Sequence, residues 1–395
     1  MAQPARGNAA SRLYRRSARD SRTARTALQR GTSLARRSLD APRNVAALVV
    51  AVDTDDPRRP LEPELVEFEA LAHAAGARIL DRIVQRREAV DPGTLVGSGK
   101  AREIADRARE LDAGLLLVLN DLRPRQRKSL EKIVPLPIVD RTMLILDVFA
   151  RHARSREGKL QVELAQLRYR QSNLIGIGAD LSRLGGGIGT RGPGETKLEV
   201  DRRAIGARIS VLRRQLEGVR RQRAVRRAGD RREPLVALVG YTNAGKSSLL
   251  NALARSDAFV ADQPFATLDP TIRRVYLSPQ HYVRVADTVG FITDLPKDLV
   301  NAFRATLEEL READLLIHVI DASNPDWPRQ RVAVDSILHD LELDKKPRLQ
   351  AFNKIDLVPP ATRPHESGAS LLSAVTGFGL AELRAALANS FPVSP

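Results

Sequence analysis

The sequence of 395 residues contains no cysteine. Disulfide bonds, thiolate catalysis and zinc–thiolate sites are therefore excluded, and a reducing compartment is permitted. Long apolar runs are also lacking, since a run such as Ala113–Leu119 is far shorter than the roughly 20 residues that a membrane helix needs. Hydrophobic residues still make up 43% of the chain, enough for sizeable cores in two or three domains. We expect a cytoplasmic protein with no membrane span.

The net charge of the chain is +16, and most of the positive excess lies in two stretches where acidic side chains are scarce. Residues 1–39 carry 10 arginines against one acid, and residues 197–232 carry 13 basic residues against 4 acidic ones. Such local excess favours a polyanionic partner, with nucleic acid as the first candidate. The alternative is solvated surface in an arginine-rich chain. We interpret 1–40 as a basic disordered arm; an organelle transit peptide has a similar composition and stays open as the alternative.

Apolar periodicity predicts that the first folded domain, at 41–153, is a parallel α/β unit. Short apolar runs indicate strands, and helical spacing of apolar residues separates them. The predicted strands are Val45–Val52, Ala77–Ile83, Gly114–Val118 and Pro137–Asp140, and the predicted helices are Pro60–Ala75 and Gly99–Leu111. Alternation of strands and helices is typical of parallel sheets.

A heptad pattern predicts an antiparallel helical hairpin over 154–232, with helices at about Arg154–Ser182 and Gly194–Arg227. Apolar residues recur seven positions apart, which is the spacing of a helix–helix seam; they are Ile205, Leu212 and Val219, and Ile209 and Leu216. The connecting loop at 185–194 holds six glycines in ten residues. Its backbone N–H groups could cradle phosphate beside Arg191 and Lys197, or the loop could be only a flexible connector.

The last domain, at 233–395, begins with a nucleotide-binding signature. The apolar strand Pro234–Val239 runs into Gly240-Tyr-Thr-Asn-Ala-Gly-Lys-Ser247, after which a helical pattern starts. This is G-x-x-x-x-G-K-[ST] between a strand and a helix, which predicts a P-loop domain with a mostly parallel sheet flanked by helices. We expect Lys246 to bind the β and γ phosphates and the Ser247 hydroxyl to bind Mg²⁺. The predicted binding residues here are Gly240, Tyr241, Thr242, Asn243, Ala244, Gly245, Lys246, Ser247 and Ser248.

Three further elements follow in order and indicate GTP rather than ATP. Asp287-Thr-Val-Gly290 ends a strand, where Asp287 can hold the outer shell of Mg²⁺ and the Gly290 N–H can sense the γ-phosphate. Asn353-Lys-Ile-Asp356 ends another strand, and the Asp356 carboxylate can accept from guanine N1–H and N2–H₂, a donor pair that adenine lacks. Backbone at Ser373-Ala374 can meet guanine O6. The remaining residues assigned to this site are Thr288, Val289, Lys354, Ile355 and Val375.

The sequence identifies less clearly the residues that complete a GTP hydrolysis site, namely the switch threonine and the group that orients water. The segment Phe265-Ala266-Thr267-Leu268-Asp269 lies between the P-loop and Asp287–Gly290, and Thr267 is the candidate switch threonine for Mg²⁺ and the γ-phosphate, with Thr271 as the alternative. We assign the catalytic roles to Lys246, Thr267 and Gly290. Phe291 stands where many small GTPases carry a water-orienting glutamine, so hydrolysis should be slow without a partner. Asn243 matches the asparagine of potassium-activated relatives, which makes K⁺ a possible cofactor beside Mg²⁺.

Together these motifs resemble those of the HflX family of GTPases. The motifs that carry the resemblance are Gly97-Ser-Gly-Lys100, Asp140-Arg-Thr142, Gly158–Leu167, the glycine-rich Gly185–Arg203, the P-loop and Phe265–Asp269. The resemblance implies a GTPase, converting GTP to GDP, that binds the rRNA and protein of the large ribosomal subunit through its N-terminal domain and hairpin and acts in ribosome rescue, splitting or recycling. It also favours Thr267 as the Mg²⁺ threonine and RNA contact by the glycine-rich loop.

The C-terminal extent, the oligomeric state and the function stay open at the level of sequence. Because the chain ends soon after Phe391, we expect a further C-terminal domain to be absent or minimal, and nothing in the sequence demands an oligomer. The alternative function is an RNA-binding or assembly protein that uses GTP as a structural switch with negligible turnover. An ATP-driven RNA remodeller is a third hypothesis, against which Asp356 argues.

Overall fold

The computed structural model describes residues 44–57, 59–184, 193–227, 233–255, 263–265, 267, 269–279, 281–293 and 308–391. The predicted arm at 1–40 and residues 185–192 of the glycine-rich loop lie outside these described residues, as do Ala266 and Leu268 of the predicted site. Within the described part of the chain, no helix combines the length and the apolar character needed to cross a membrane.

The N-terminal domain is a parallel four-stranded sheet with the strand order β2-β1-β3-β4. Its elements are β1 (Val45–Asp53), α1 (Leu61–Ala74), β2 (Ala77–Arg86), α2 (Ser98–Glu110), β3 (Leu115–Val118), α3 (Pro124–Ile133), β4 (Ile138–Asp140) and α4 (Arg141–His152). The predicted parallel α/β unit is confirmed, but the sequence analysis did not predict α3 and α4. Helix α3 buries only Gln126 and Leu130, and α4 is buried on several sides, so neither shows a single apolar stripe.

Alternating side chains of β1 supply two separate cores. Ala47, Val49 and Ala51 face α1 and α4, whereas Leu48 and Val50 face α2 and α3. The first of these clusters continues beyond the N-terminal domain to residues of the C-terminal domain such as Val239, Phe265 and Phe291. The two α/β domains therefore share apolar packing on the side where the candidate site lies.

The predicted antiparallel hairpin consists of α5 (Arg156–Leu184) and α6 (Pro193–Arg227). Leu164 of α5 packs with Ile209, Leu212 and Leu216 of α6 in one buried cluster, as the heptad spacing predicts. An ion pair between the Arg208 guanidinium and the Glu163 carboxylate, with an N–O distance of 2.7 Å, lies beside this seam. Arg202, Arg203, Arg213 and Arg214 of α6 lie off this seam and are exposed.

The C-terminal domain has a six-stranded sheet with the order β10-β9-β8-β5-β7-β6. Its elements are β5 (Leu235–Gly240), α7 (Lys246–Ala254), β6 (Thr271–Ser278), β7 (His281–Asp287), α8 (Glu308–Glu312), β8 (Leu315–Asp321), α9 (Trp327–Asp340), β9 (Arg348–Asn353), β10 (Ser370–Leu371) and α10 (Leu380–Ser390), with 3₁₀ turns at Ile355–Leu357 and Pro360–Thr362. The β6–β7 pair is antiparallel and the other neighbouring strands are parallel. Since β5, β7 and β9 end at one edge, the loops after them meet there.

Candidate nucleotide site

The P-loop leaves the buried strand β5 through two glycines that no other residue could replace. Gly240 has a φ of 155° and lies against the backbone of Val319, so a Cβ there would overlap the Val319 carbonyl oxygen. Gly245 has a φ of 87°, and a Cβ there would overlap the Asn353 side-chain amide. Both positions need the left-handed backbone and the open space that glycine provides. The loop consequently delivers the N-terminus of α7, with its free N–H groups, to the edge of the sheet.

Two backbone carbonyl groups hold the Lys246 side chain in the centre of the loop. The side chain is 6% exposed, and Nζ donates to the carbonyl oxygens of Gly240 at 3.1 Å and Tyr241 at 2.8 Å. Burial lowers the pKa of Lys246 to about 8, while the Asp287 carboxylate favours the charged form. A bound phosphate would supply the counter-charge that the two carbonyls provide only in part.

Three oxygen-bearing side chains converge beside the P-loop in a set that suits Mg²⁺. Ser247 Oγ donates to Asp287 Oδ2 at 2.6 Å and lies 2.8 Å from Thr267 Oγ1. The other oxygen, Asp287 Oδ1, is buried and has no hydrogen-bond partner among the described residues, and burial raises the pKa of this carboxyl group. Hydroxyl and carboxylate oxygens are the ligands that Mg²⁺ prefers, directly or through water, so the residues present fit the ion. Thr271 instead opens β6, where its side chain is exposed.

The segment after β7 lies directly on the P-loop. Thr288 Oγ1 donates to the carbonyl oxygen of Leu238 at 2.6 Å, which fixes the segment to β5. A Cβ added at Gly290 would be 2.9 Å from Thr242 Cα and 3.1 Å from Lys246 Nζ, so Gly290 permits this close approach. Phe291 follows with only 2% of its surface exposed and its ring in the apolar core. A buried ring cannot orient water.

The loop after β9 connects the P-loop to the loop after β10. Asn353 Nδ2 donates to the carbonyl oxygen of Ala244 at 2.9 Å, and Asn353 Oδ1 accepts from the N–H of Ala374 at 3.0 Å. One backbone group of the Ser373-Ala374 pair predicted to meet guanine O6, the Ala374 N–H, is therefore engaged by Asn353. Lys354 adopts a φ of 60° and pairs with Asp321 at 2.8 Å, and the Asp356 carboxylate is exposed on the 3₁₀ turn.

The remaining residues of this loop region are distributed between core and surface. Ile355 is buried in a small core cluster, Ser373 is fully buried and Val375 is 85% exposed. The Ser373 hydroxyl accepts from the N–H of Thr376 at 3.1 Å and so helps to shape the loop. Main-chain groups and Asp356 are what this loop offers to a ligand.

Two residues that the sequence analysis assigned to the nucleotide turn their side chains elsewhere. The Tyr241 hydroxyl lies 2.7 Å from Thr293 Oγ1 and donates to Glu67 of α1. The Asp269 carboxylate accepts hydrogen bonds from Arg154 and Ser155 at the start of α5. Only the backbone of Tyr241 faces the site.

A buried polar cluster around Tyr241 escaped the sequence analysis. Arg141 Nη2 donates to Glu67 and to the carbonyl oxygen of Thr293, the latter at 2.9 Å. Burial raises the pKa of the Tyr241 phenol and of Glu67, and Arg141 opposes the shift at Glu67. Glu67 is 174 residues from Tyr241 in the chain, so no local pattern could reveal the contact. Arg141 belongs to the motif Asp140-Arg-Thr142, but nothing in that motif indicates that it pairs with Glu67.

A P-loop on the central strand, with an Asp287–Gly290 loop and an Asn353–Asp356 loop on neighbouring strand ends, defines a P-loop GTPase. Three family models match this chain in succession. Their descriptions are GTP-binding GTPase N-terminal over residues 62–150, GTP-binding GTPase Middle Region over 152–229, and 50S ribosome-binding GTPase over 235–354.

Relatives of this chain extend the match over all three parts of the molecule. The GTPase HflX of Caldanaerobacter subterraneus subsp. tengcongensis is 50% identical over 75% of this chain and 70% of that protein. The one from Lacrimispora saccharolytica is 47% identical over 85% and 80%, and the one from Escherichia coli K12 is 45% identical over 82% and 78%. The chain belongs to the HflX family of GTPases, and it binds and hydrolyses GTP.

Proposed function

We propose that this GTPase binds the large ribosomal subunit as a cytoplasmic monomer, acts in ribosome rescue, splitting and recycling or in biogenesis, and hydrolyses GTP faster when bound. The observation that carries the proposal is a set of exposed arginines on α6, off the apolar seam; they are Arg202, Arg203, Arg213, Arg214 and Arg221. A helix that is braced by its partner presents these guanidinium groups to phosphates with little further ordering. The family model that matches 235–354 is described as a 50S ribosome-binding GTPase.

In this proposal each part of the site has one task. Lys246 binds the β and γ phosphates, and the Gly290 N–H contacts the γ-phosphate. The Ser247 and Thr267 hydroxyls would hold Mg²⁺, and the Asp287 carboxylate beside them would help to hold it in place. When bound, the ion neutralises the charge that develops on the phosphates. Asp356 selects guanine, and its exposure in the structure leaves the carboxylate accessible to the base.

The buried ring of Phe291 explains why turnover should depend on a partner. With no hydrogen-bonding side chain at that position, the attacking water has to be oriented by a group from outside the site, and ribosomal RNA or protein supplies it on docking.

Asn243, exposed in the P-loop with a φ of 61°, holds K⁺ near the phosphates in this scheme. Replacing Na⁺ by K⁺ should then raise turnover several-fold, and equal rates in the two salts would remove K⁺ from the scheme.

The test measures GTP turnover and pelleting with purified large subunits. We expect strong stimulation of the wild-type protein and binding that weakens as salt rises, because arginine–phosphate contacts release counterions. The double variant Arg213→Ala/Arg214→Ala should bind more weakly with a shallower salt dependence. Lys345→Ala removes one exposed cation from the GTPase domain and serves as the control.

Absence of stimulation would favour the second candidate function, an RNA-binding or assembly protein that uses GTP as a structural switch. The burial of Phe291 is the observation that favours it, since a site without a water-orienting group can hold GTP for long periods. In that case the subunit would still pellet the protein, but turnover would stay at its basal rate.

A further inference from the structure

The Asp269 carboxylate completes the N-terminal cap of the hairpin helix α5. Its Oδ2 accepts from the N–H groups of Arg154 at 2.9 Å and Ser155 at 2.6 Å, and its Oδ1 accepts from the Ser155 hydroxyl. The same hydroxyl accepts from the N–H of Gly158 at 2.9 Å, as an N-cap serine does. A negative charge at this end of a long helix is also favoured by the helix dipole. Asp269, a residue of the GTPase domain, therefore caps the N-terminus of a helix that belongs to the hairpin.

Gly158 makes room for this contact. A Cβ added at Gly158 would lie 2.5 Å from Asp269 Oδ1 and 3.3 Å from Ser155 Oγ. Glycine in the first turn of a helix is otherwise unfavourable compared with alanine. Space for the carboxylate gives a physical reason for its presence here.

A second contact anchors the other side of the same segment. The Phe265 ring packs edge-on against Phe149 of α4, with 4.4 Å between the ring centroids and an interplanar angle of 62°. Phe265 is 2% exposed. Phe265 and Asp269 flank Thr267 two positions away on either side, and both contact the α4–α5 junction, which we define as residues 149–158. Thr267 between them lies with its Oγ1 2.8 Å from Ser247 Oγ.

We propose that Asp269, Ser155 and Gly158 form a latch through which the α4–α5 junction positions Thr267 in the nucleotide site. The proposal rests on the role of Thr267 in binding Mg²⁺ and the γ-phosphate, given under the proposed function. Asp269 is a positioning residue, because both of its carboxylate oxygens are engaged away from the nucleotide. GTP that holds Thr267 therefore stabilises the first turn of the hairpin. By thermodynamic reciprocity, a hairpin held in this position increases the affinity for GTP by the same factor.

The latch should act on GTP and hardly at all on GDP. Switch segments are ordered by the γ-phosphate and Mg²⁺ and released after hydrolysis, so Thr267 contributes to binding only in the triphosphate state. Breaking the latch should lower the affinity for a non-hydrolysable GTP analogue about tenfold, within the usual size of such couplings. The affinity for GDP should stay within about twofold, since the phosphate contacts of the P-loop are untouched.

The experiment compares binding of fluorescent GDP and of a fluorescent non-hydrolysable GTP analogue to the full-length protein in saturating Mg²⁺. The latch variants are Asp269→Ala, Ser155→Ala and Gly158→Ala. Gly158→Ala is the sharpest, because alanine favours the helix while its methyl group displaces the carboxylate. Gly218→Ala makes the same change in α6, where no atom of the described residues lies within 4 Å of the new Cβ, and Asp340→Ala removes an exposed carboxylate at the end of α9.

We expect the three latch variants to lose affinity for the analogue selectively and the two controls to match the wild type. The latch is refuted if analogue binding is unchanged in Asp269→Ala and Gly158→Ala, or if binding of both nucleotides falls together. Thr267→Ala separates this failure from that of the proposed site. If Thr267→Ala alone loses the analogue, the latch is wrong and the site stands; if it too binds normally, the role of Thr267 is wrong and the latch fails with it. Pelleting with large subunits tests ribosome binding independently.

Discussion

Replacement of Asn353 by alanine should disconnect the two loops that hold the nucleotide. The Asn353 side chain is 2% exposed and joins the Ala244 carbonyl oxygen of the P-loop to the Ala374 N–H of the loop after β10, at 2.9 and 3.0 Å. Its removal leaves both backbone groups without these partners. In the nucleotide-free protein the loops can relax and find water, whereas a bound nucleotide requires both in place.

The size of the effect follows from these two hydrogen bonds. Each buried backbone group left unsatisfied costs about 1–3 kcal/mol, and partial rehydration reduces the sum. We expect a loss of about 2–3 kcal/mol in GDP binding, which is about 30- to 150-fold in the dissociation constant. Asn353→Asp keeps an acceptor for Ala374 but places a carboxylate against the Ala244 carbonyl oxygen, so it should be at least as damaging as alanine.

Titration with fluorescent GDP measures the change directly, with thermal unfolding as the check that the variant is folded. Asn324→Ala is the matched control, since Asn324 makes a local turn hydrogen bond to the N–H of Asp326 at 2.9 Å, with neither partner in the nucleotide loops. A folded Asn353→Ala protein that binds GDP within about threefold of the wild type would show that the bridge does not preorganise the site.

Three other predictions concern stability and coupling. Burial raises the pKa of Asp147 to about 7, against the opposing charges of Arg151 and Arg170. In the unfolded chain this carboxyl group has a pKa near 3.9, so between these two pH values the folded protein holds a proton that the unfolded chain releases. The free energy of unfolding therefore falls as the pH rises from about 4 to 7. Asp147→Asn should therefore raise the free energy of unfolding by about 2 kcal/mol at pH 8, allowing for partial exposure, and leave it unchanged at pH 4, as urea unfolding at the two pH values would reveal. Leu212→Ala should lower the free energy of unfolding by about 3 kcal/mol and speed hydrogen exchange in α6, because Leu212 is fully buried between the two hairpin helices. Val200→Ala, at a 46% exposed position, should change the free energy of unfolding by less than about 0.5 kcal/mol. Equal effects of the two substitutions would contradict the packing of Leu212 between the helices. Lys246→Ala should abolish any difference in large-subunit pelleting between GDP and a GTP analogue, and a surviving difference would place the nucleotide signal elsewhere.

Local chemistry made most of the fold predictable. The run of buried apolar residues in β1, the heptad spacing of Ile205 with Leu212 and of Ile209 with Leu216, and the strand–loop–helix context of the P-loop each carry a period or a motif that few structures satisfy. The helices α3 and α4 were missed because they bury too few residues or bury several sides, and the apolar period disappears in both cases.

Motif spacing alone predicts which residues bind phosphate, Mg²⁺ and guanine, because each role needs a residue type at a fixed distance from a strand end or a helix start. The directions of the Asp269 and Tyr241 side chains, in contrast, depend on the folded chain. Their partners, Ser155 and Glu67, are 114 and 174 residues away in the chain, and the hydrogen bonds exist only once the domains pack together. A motif specifies a backbone path and a set of side chains, but the direction of a polar side chain is set by the partner that satisfies it after burial.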